Sequence, residues 1–131
     1  MKGFAAAWIT IAIVFLALDC IWLTQVAPRV TRAIIGELMA PQVRLAPAIA
    51  FYLIYITAIV VLAVSPEQGA VWRAFGRGAM LGLVAYATYD LTNQATLRVW
   101  STTLTLADLA WGAALTAVAA ALGSLAAARF S

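Results

Sequence analysis

The stretch Leu45-Ala-Pro47-Ala-Ile-Ala-Phe51-Tyr52-Leu-Ile-Tyr55-Ile-Thr-Ala-Ile59-Val-Val-Leu-Ala-Val64 runs for 20 residues without a charge. A helix needs roughly 20 mostly apolar residues to cross a hydrocarbon core about 30 Å thick. Pro47 falls in the first turn and Pro66 just past the end, positions that a helix tolerates or that stop it. Inside lipid, backbone groups can pair only with one another, so a helix is required. The short alternating segments of a β-barrel are absent. This stretch reads as a transmembrane helix.

Working outward, three further segments have spanning length, giving helices at about 4–26, 45–64, 78–97 and 104–128. The third is the most polar and the fourth is rich in Ala. The fold class expected is all-α: one polytopic domain over residues 1–131, a four-transmembrane-helix antiparallel bundle. The longest loop, about Pro28 to Arg44, has apolar residues between Val30 and Met39 that suit a short interfacial helix.

Composition agrees. Of the residues, 66% are hydrophobic and 10% charged, against about 25% charged in a soluble domain. So few charges cannot coat a water-facing globule. The net charge of +3 is spread along the chain and forms no nucleic-acid footprint. There is no His and a single cysteine, Cys20, so no metal centre, disulfide or cofactor is expected. The apolar run after Lys2 lacks a small-residue cleavage pattern, and Asp19 precedes Cys20 where a lipoprotein site wants a small residue, so the first helix is read as retained.

The third segment opens Gly78-Ala-Met-Leu-Gly82, a G-x-x-x-G match that lets helices approach closely. Packing within the bundle is the leading reading and a homodimer interface the other. Lys2, Arg73, Arg77 and Arg129 fall on the side of the termini, and Arg29, Arg32, Arg44 and Arg98 on the other. This tie leaves the positive-inside rule undecided. The working expectation puts both termini in the cytoplasm.

Antiparallel order gathers three acids toward one leaflet. Asp19 and Asp90 each lie about seven residues from a helix end, roughly 10 Å deep at 1.5 Å per residue. Asp108 lies about four residues in, roughly 6 Å. Each carboxylate costs about 2.5–3.5 kcal/mol at a helix centre, so these should face the bundle interior. Trp8, Phe15, Asp19 and Trp22 share a helix face; so do Tyr86, Asp90, Asn93 and Gln94, with Tyr89 and Thr92 flanking. Tyr52 and Tyr55 enter from the second helix. The first and fourth helices both carry Asp-x-x-Trp, at Asp19–Trp22 and Asp108–Trp111.

Each acid also has a purely structural reading. Asp108 would close a Thr105-x-x-Asp capping box. Asp90 would lock helices by bonding Tyr and Asn. Asp19 would pair with Arg44 or Arg98. The tryptophans would be interfacial anchors.

Phe15-Leu-Ala-Leu-Asp19-Cys-Ile-Trp22-Leu, Pro47-Ala-Ile-Ala-Phe51-Tyr52-Leu-Ile-Tyr55, Tyr86-Ala-Thr-Tyr89-Asp90-Leu-Thr92-Asn93-Gln-Ala-Thr96-Leu and Asp108-Leu-Ala-Trp111-Gly112 follow in order along nearly the whole chain. In these the chain resembles the bacterial membrane proteins catalogued as domain of unknown function 2177. The resemblance implies a four-helix protein of the bacterial inner membrane. It implies no activity. It places Asp19, Trp22, Tyr52, Asp90, Asn93, Asp108 and Trp111 at the family's motif positions.

Three functions compete. A binder or carrier would hold a small polar or cationic ligand, or a lipid headgroup, among Asp19, Trp22, Tyr52, Tyr55, Tyr86, Tyr89, Asp90, Asn93, Asp108 and Trp111. An accessory or scaffold subunit would join a larger membrane complex. A lipid-modifying enzyme ranks last, for want of a nucleophile–base pair, a metal set or a cofactor motif. Partners beyond the bilayer are that ligand, a second copy or the larger complex, and no nucleic acid.

Overall fold

The computed structural model describes residues 2–36, 39, 44–67 and 69–130, and among them holds helices and turns but no strand. Helix α1 covers Lys2–Ile21, and a π-helical turn, Trp22–Val26, carries it into α2, Ala27–Ile35. Helix α3 covers Leu45–Ile59 and continues through a second π turn, Val60–Val64, into a 3₁₀ turn, Ser65–Glu67. Helices α4, Val71–Thr96, and α5, Thr102–Phe130, complete the fold. Three stretches are long and apolar enough to cross a membrane: Lys2–Arg29, Leu45–Val64 and Thr102–Phe130. Helix α4 has the length, at 26 residues, but carries Arg73, Arg77, Asp90, Asn93 and Gln94.

Two helices differ from the sequence expectation at prolines and arginines. The first helix does not end near Val26; helix continues past Pro28. A proline removes one helical hydrogen bond and presses on the carbonyl four residues back. The wider π turn just before it, closed by the Ala27 N–H donating to the Trp22 carbonyl, gives the ring room. Pro66 repeats the arrangement after Val60–Val64. There Arg77 Nη1 donates to the Leu62 carbonyl, four residues before the proline, at 3.3 Å. Residues 37, 38 and 40–43, and with them part of the interfacial helix expected over Val30–Met39, lie outside the described residues. Helix α4 begins at Val71 rather than Gly78, because Arg73 and Arg77 sit exposed on its first turns instead of in a loop.

Helix α5 is the backbone of the bundle, packed along α4 and α1. Small residues make this possible. A Cβ on Gly78 would lie 2.6 Å from the Thr116 carbonyl oxygen, and one on Gly82 only 2.1 Å from that of Gly112. The G-x-x-x-G face is therefore occupied within the chain. On the α1 side, Gly123 receives the Ile11 side chain. Ile11, Phe15, Ile56, Ile59, Val60 and Leu115 fill the centre. The outer faces are the reverse of a soluble surface: Ile54 is 70% exposed, Ile13 64% and Leu106 62%.

Helix α3 is the loosest member. Its π turn comes close to α1, α4 and α5, whereas the backbone of Leu45–Ile59 comes closest to α1. Toward the loop between α4 and α5, large side chains rather than backbone bridge from α3 to its neighbours.

Candidate functional site

The bridging side chains are aromatic. Phe15 from α1 meets Tyr52 and Tyr55 edge-on, at ring separations of 5.8 and 5.4 Å. The Tyr55 hydroxyl crosses the bundle to share a 2.8 Å hydrogen bond with the Thr116 hydroxyl, which has no exposed surface. Tyr86, from α4, lays its ring over Gly112: a Cβ there would lie 2.2 Å from the ring. The Tyr86 hydroxyl sits within electrostatic reach of Asp19, Tyr55, Asp108 and Tyr52.

The three acids gather here. Asp19, buried on α1, accepts a hydrogen bond from the Tyr52 hydroxyl. Its expected arginine partner is thus replaced by a phenol from the facing helix. Asp90, on α4, has no exposed surface, and neither of its carboxyl oxygens has a hydrogen-bond donor among the described residues. What it faces is the carboxyl of Asp108, at hydrogen-bonding range. The expected lock onto Tyr and Asn is not what holds it. Asp108 in turn lies within electrostatic reach of Asp19.

The capping-box reading of Asp108 is corrected. Helix α5 starts at Thr102, with the Ser101 hydroxyl accepting from the Leu104 N–H at 3.1 Å. Thr105 Oγ1 is engaged elsewhere: it donates to Gln94 Oε1 at 2.7 Å and accepts from Trp100 Nε1 at 3.0 Å. Asp108 therefore stands in the second turn, inside the helix. With Gln94 Nε2 donating to Thr102 Oγ1 at 2.9 Å, this network clamps the α4–α5 turn about one helical turn closer to the loop than the two acids.

The two Asp-x-x-Trp segments meet. Trp22 and Trp111 stack with ring centroids 4.7 Å apart and planes 11° from parallel. The indole N–H of Trp111 is buried and has no acceptor among the described residues. Tyr89 lies at the edge of the cluster: it is 57% exposed and edge-on to Trp100 at 5.7 Å, beside Asn93 and within electrostatic reach of Asp90 and Asp108. Thr116 and Trp100 were not singled out from sequence, and Gln94 and Thr105 were named there without the clamp they form. The one cue to Thr116 was a hydroxyl one turn after Gly112 on an Ala-rich helix.

The arrangement is chemically unusual. A buried polar group without a partner costs about 1–3 kcal/mol, and a charged one more. Two carboxyl groups can face each other only through a proton or through a third group that donates to both. Asp90 and Asp108 offer acceptors, Trp111 offers a donor, and the tyrosines surround them.

Residues 4–125 match the model of a family described as predicted membrane protein, DUF2177. No curated protein and no solved structure matches the chain.

Proposed function

The chain belongs to the DUF2177 family of predicted membrane proteins, and on that premise we propose that it binds a small polar or cationic group, free or as a lipid headgroup, at the intramembrane cluster of Asp19, Tyr52, Tyr86, Asp90, Asp108 and Trp111. The observation that carries this reading is Asp90: no exposed surface, no donor among the described residues, and a second carboxyl opposite. A helix lock would be built from complementary groups, whereas two acceptors face to face suit a ligand that donates hydrogen bonds.

The reading takes α4 as a fourth membrane crossing. Its 26 residues reach about 39 Å at 1.5 Å each, beyond the hydrocarbon core. Trp72 stands at one end and Trp100 just past the other, where interfacial aromatics belong. Most of its polar side chains turn inward or cluster at its ends. Thr88 and Thr96 donate to carbonyls four residues back, which quiets their hydroxyls in lipid. Both termini then share one side of the membrane, with the carboxylates toward the opposite leaflet. Cysteines placed at Ala70 and Val99 in a Cys20→Ser background should label from opposite sides of sealed vesicles; labelling from one side would remove the fourth crossing.

Extraction of the purified protein tests binding. Wild-type protein should carry a hydroxyl- or amine-bearing molecule in near-stoichiometric amount by mass spectrometry. Folded Asp90→Asn and Asp108→Asn protein should not. Identical extracts from all three would end this reading.

A further inference from the structure

Three of the four sides of the bundle are locked around the carboxylates. Helices α1 and α3 are joined by the Tyr52 hydroxyl on Asp19. Helices α1 and α5 are joined by the Trp22–Trp111 stack. Helices α4 and α5 meet at Gly82 and Gly112 and are clamped again by Gln94 and Thr105. The fourth side, between α3 and the upper half of α4, has no hydrogen bond and no ring contact among the described residues, and the two backbones stand apart there. The tyrosine rings border this seam: Tyr52 and Tyr55 from α3 and Tyr86 from α4. Toward the loops the Gln94–Thr105–Trp100 network closes the α4–α5 turn one helical turn above Asp90 and Asp108. The cluster is thus closed off there and least firmly held at the side. That side faces the bilayer: Phe51 and Val84, on the outer surfaces of α3 and α4, are 46% and 55% exposed.

We infer that the α3–α4 seam is a lateral doorway from the bilayer, and that the group it admits is the hydrogen-bond-donating head of a membrane amphiphile, a hydroxyl or a primary ammonium, which lodges among Tyr86, Asp108 and the Asp19–Tyr52 pair with Asp90 behind. This rests on the proposed binding at the same cluster and names the ligand class and its route. Depth supports it. Tyr52 lies seven residues into α3 and Asp108 six into α5, about 10 Å below the helix ends, where a lipid head can dip while its chains stay in the hydrocarbon. Charge supports it too. The cluster offers carboxyl and phenol oxygens with no cationic side chain among the groups engaged in it, so it favours a head that donates. The chains need no pocket in the protein, because the seam leaves them in the lipid.

The test titrates purified protein with three dioleoyl lipids and reads adducts by native mass spectrometry: phosphatidylethanolamine and diacylglycerol, whose heads donate, and phosphatidylcholine, whose head does not. Free ethanolamine and free glycerol form the water-soluble arm. Ala48→Trp adds bulk to α3 at a part-buried position one turn before Tyr52 and replaces none of the polar groups. Wild-type protein should prefer one or both donating lipids by roughly tenfold over phosphatidylcholine, and should ignore the free heads. The preference should vanish in Asp108→Asn, in Asp90→Asn and in Ala48→Trp. Free ethanolamine or glycerol binding equally to wild type and Ala48→Trp would overturn the doorway and leave the site standing. Lipid binding without preference, unchanged in both Asp variants, would overturn the doorway and the site together.

Discussion

The two ends of this bundle are packed by opposite means. From mid-bundle to the end that holds the termini, α4 and α5 touch backbone to backbone at Gly82, Gly112 and Gly78, Gly123 receives the Ile11 side chain, and Ala and Ile fill what remains. At the carboxylate end, α3 stands off and aromatic rings and hydroxyls span the gap. In lipid there is little hydrophobic force between helices, so close van der Waals contact is what holds them. The tight end supplies that contact, while the other end carries Asp90, a buried acid with no hydrogen-bond donor among the described residues. On the proposed function, stability and binding sit at different depths of the same four long helices.

The comparison breaks most readily at the tight end. Gly82→Leu puts a branched side chain where even a Cβ would sit 2.1 Å from the Gly112 carbonyl oxygen. Overpacking of this kind costs about 3 kcal/mol or more. The variant should lose its monodisperse peak in detergent and melt well below the wild type. A wild-type melting curve would show that the α4–α5 contact is not what holds the bundle.

At the open end the expected effects are smaller and unequal. Tyr52→Phe leaves Asp19 buried without its donor and should cost about 1–3 kcal/mol in detergent unfolding. Tyr55→Phe removes a bond between two neutral hydroxyls and should cost about 1 kcal/mol. Equal costs would show that the bond to the Asp19 carboxyl is worth no more than one between two hydroxyls. Gln94→Ala should cost about 1 kcal/mol and chiefly speed amide exchange over residues 97–105, since it opens the clamp at the α4–α5 turn. Trp8→Phe is the mildest change. It removes a 3.0 Å bond to Thr57 Oγ1, but that hydroxyl keeps its own bond to the Leu53 carbonyl, so a loss of about 0.5 kcal/mol is expected.

Much of this was legible in the chain itself. Apolar runs of spanning length announced α1, α3 and α5, because hydrocarbon thickness sets the length directly. Antiparallel order was enough to gather Asp19, Asp90 and Asp108. Partners were harder to read. Asp19 could have met an arginine at its own level, and the pairing with Tyr52 depends on how α3 leans against α1. The capping motif Thr105-x-x-Asp108 misled because Ser101, one turn earlier, takes the cap and frees Thr105 for Gln94. Helix ends shifted where Pro28 was absorbed by a π turn and where Arg73 and Arg77 were carried on exposed helical turns. Those outcomes depend on local backbone accommodation, which residue type alone does not determine.

The central claim is that Asp90 and Asp108 serve a ligand and do not hold the helices together. The most direct test is the unfolding midpoint of Asp90→Asn, Asp108→Asn and the double variant, all in the same detergent without added lipid. An amide donates where a carboxylate only accepts, so each single change gives the pair a hydrogen bond. The account predicts single variants as stable as the wild type or more so, with the gain depending on the acid that remains opposite. A fall of about 2 kcal/mol or more in both singles, with little further loss in the double, would contradict it and show the pair to be a structural lock.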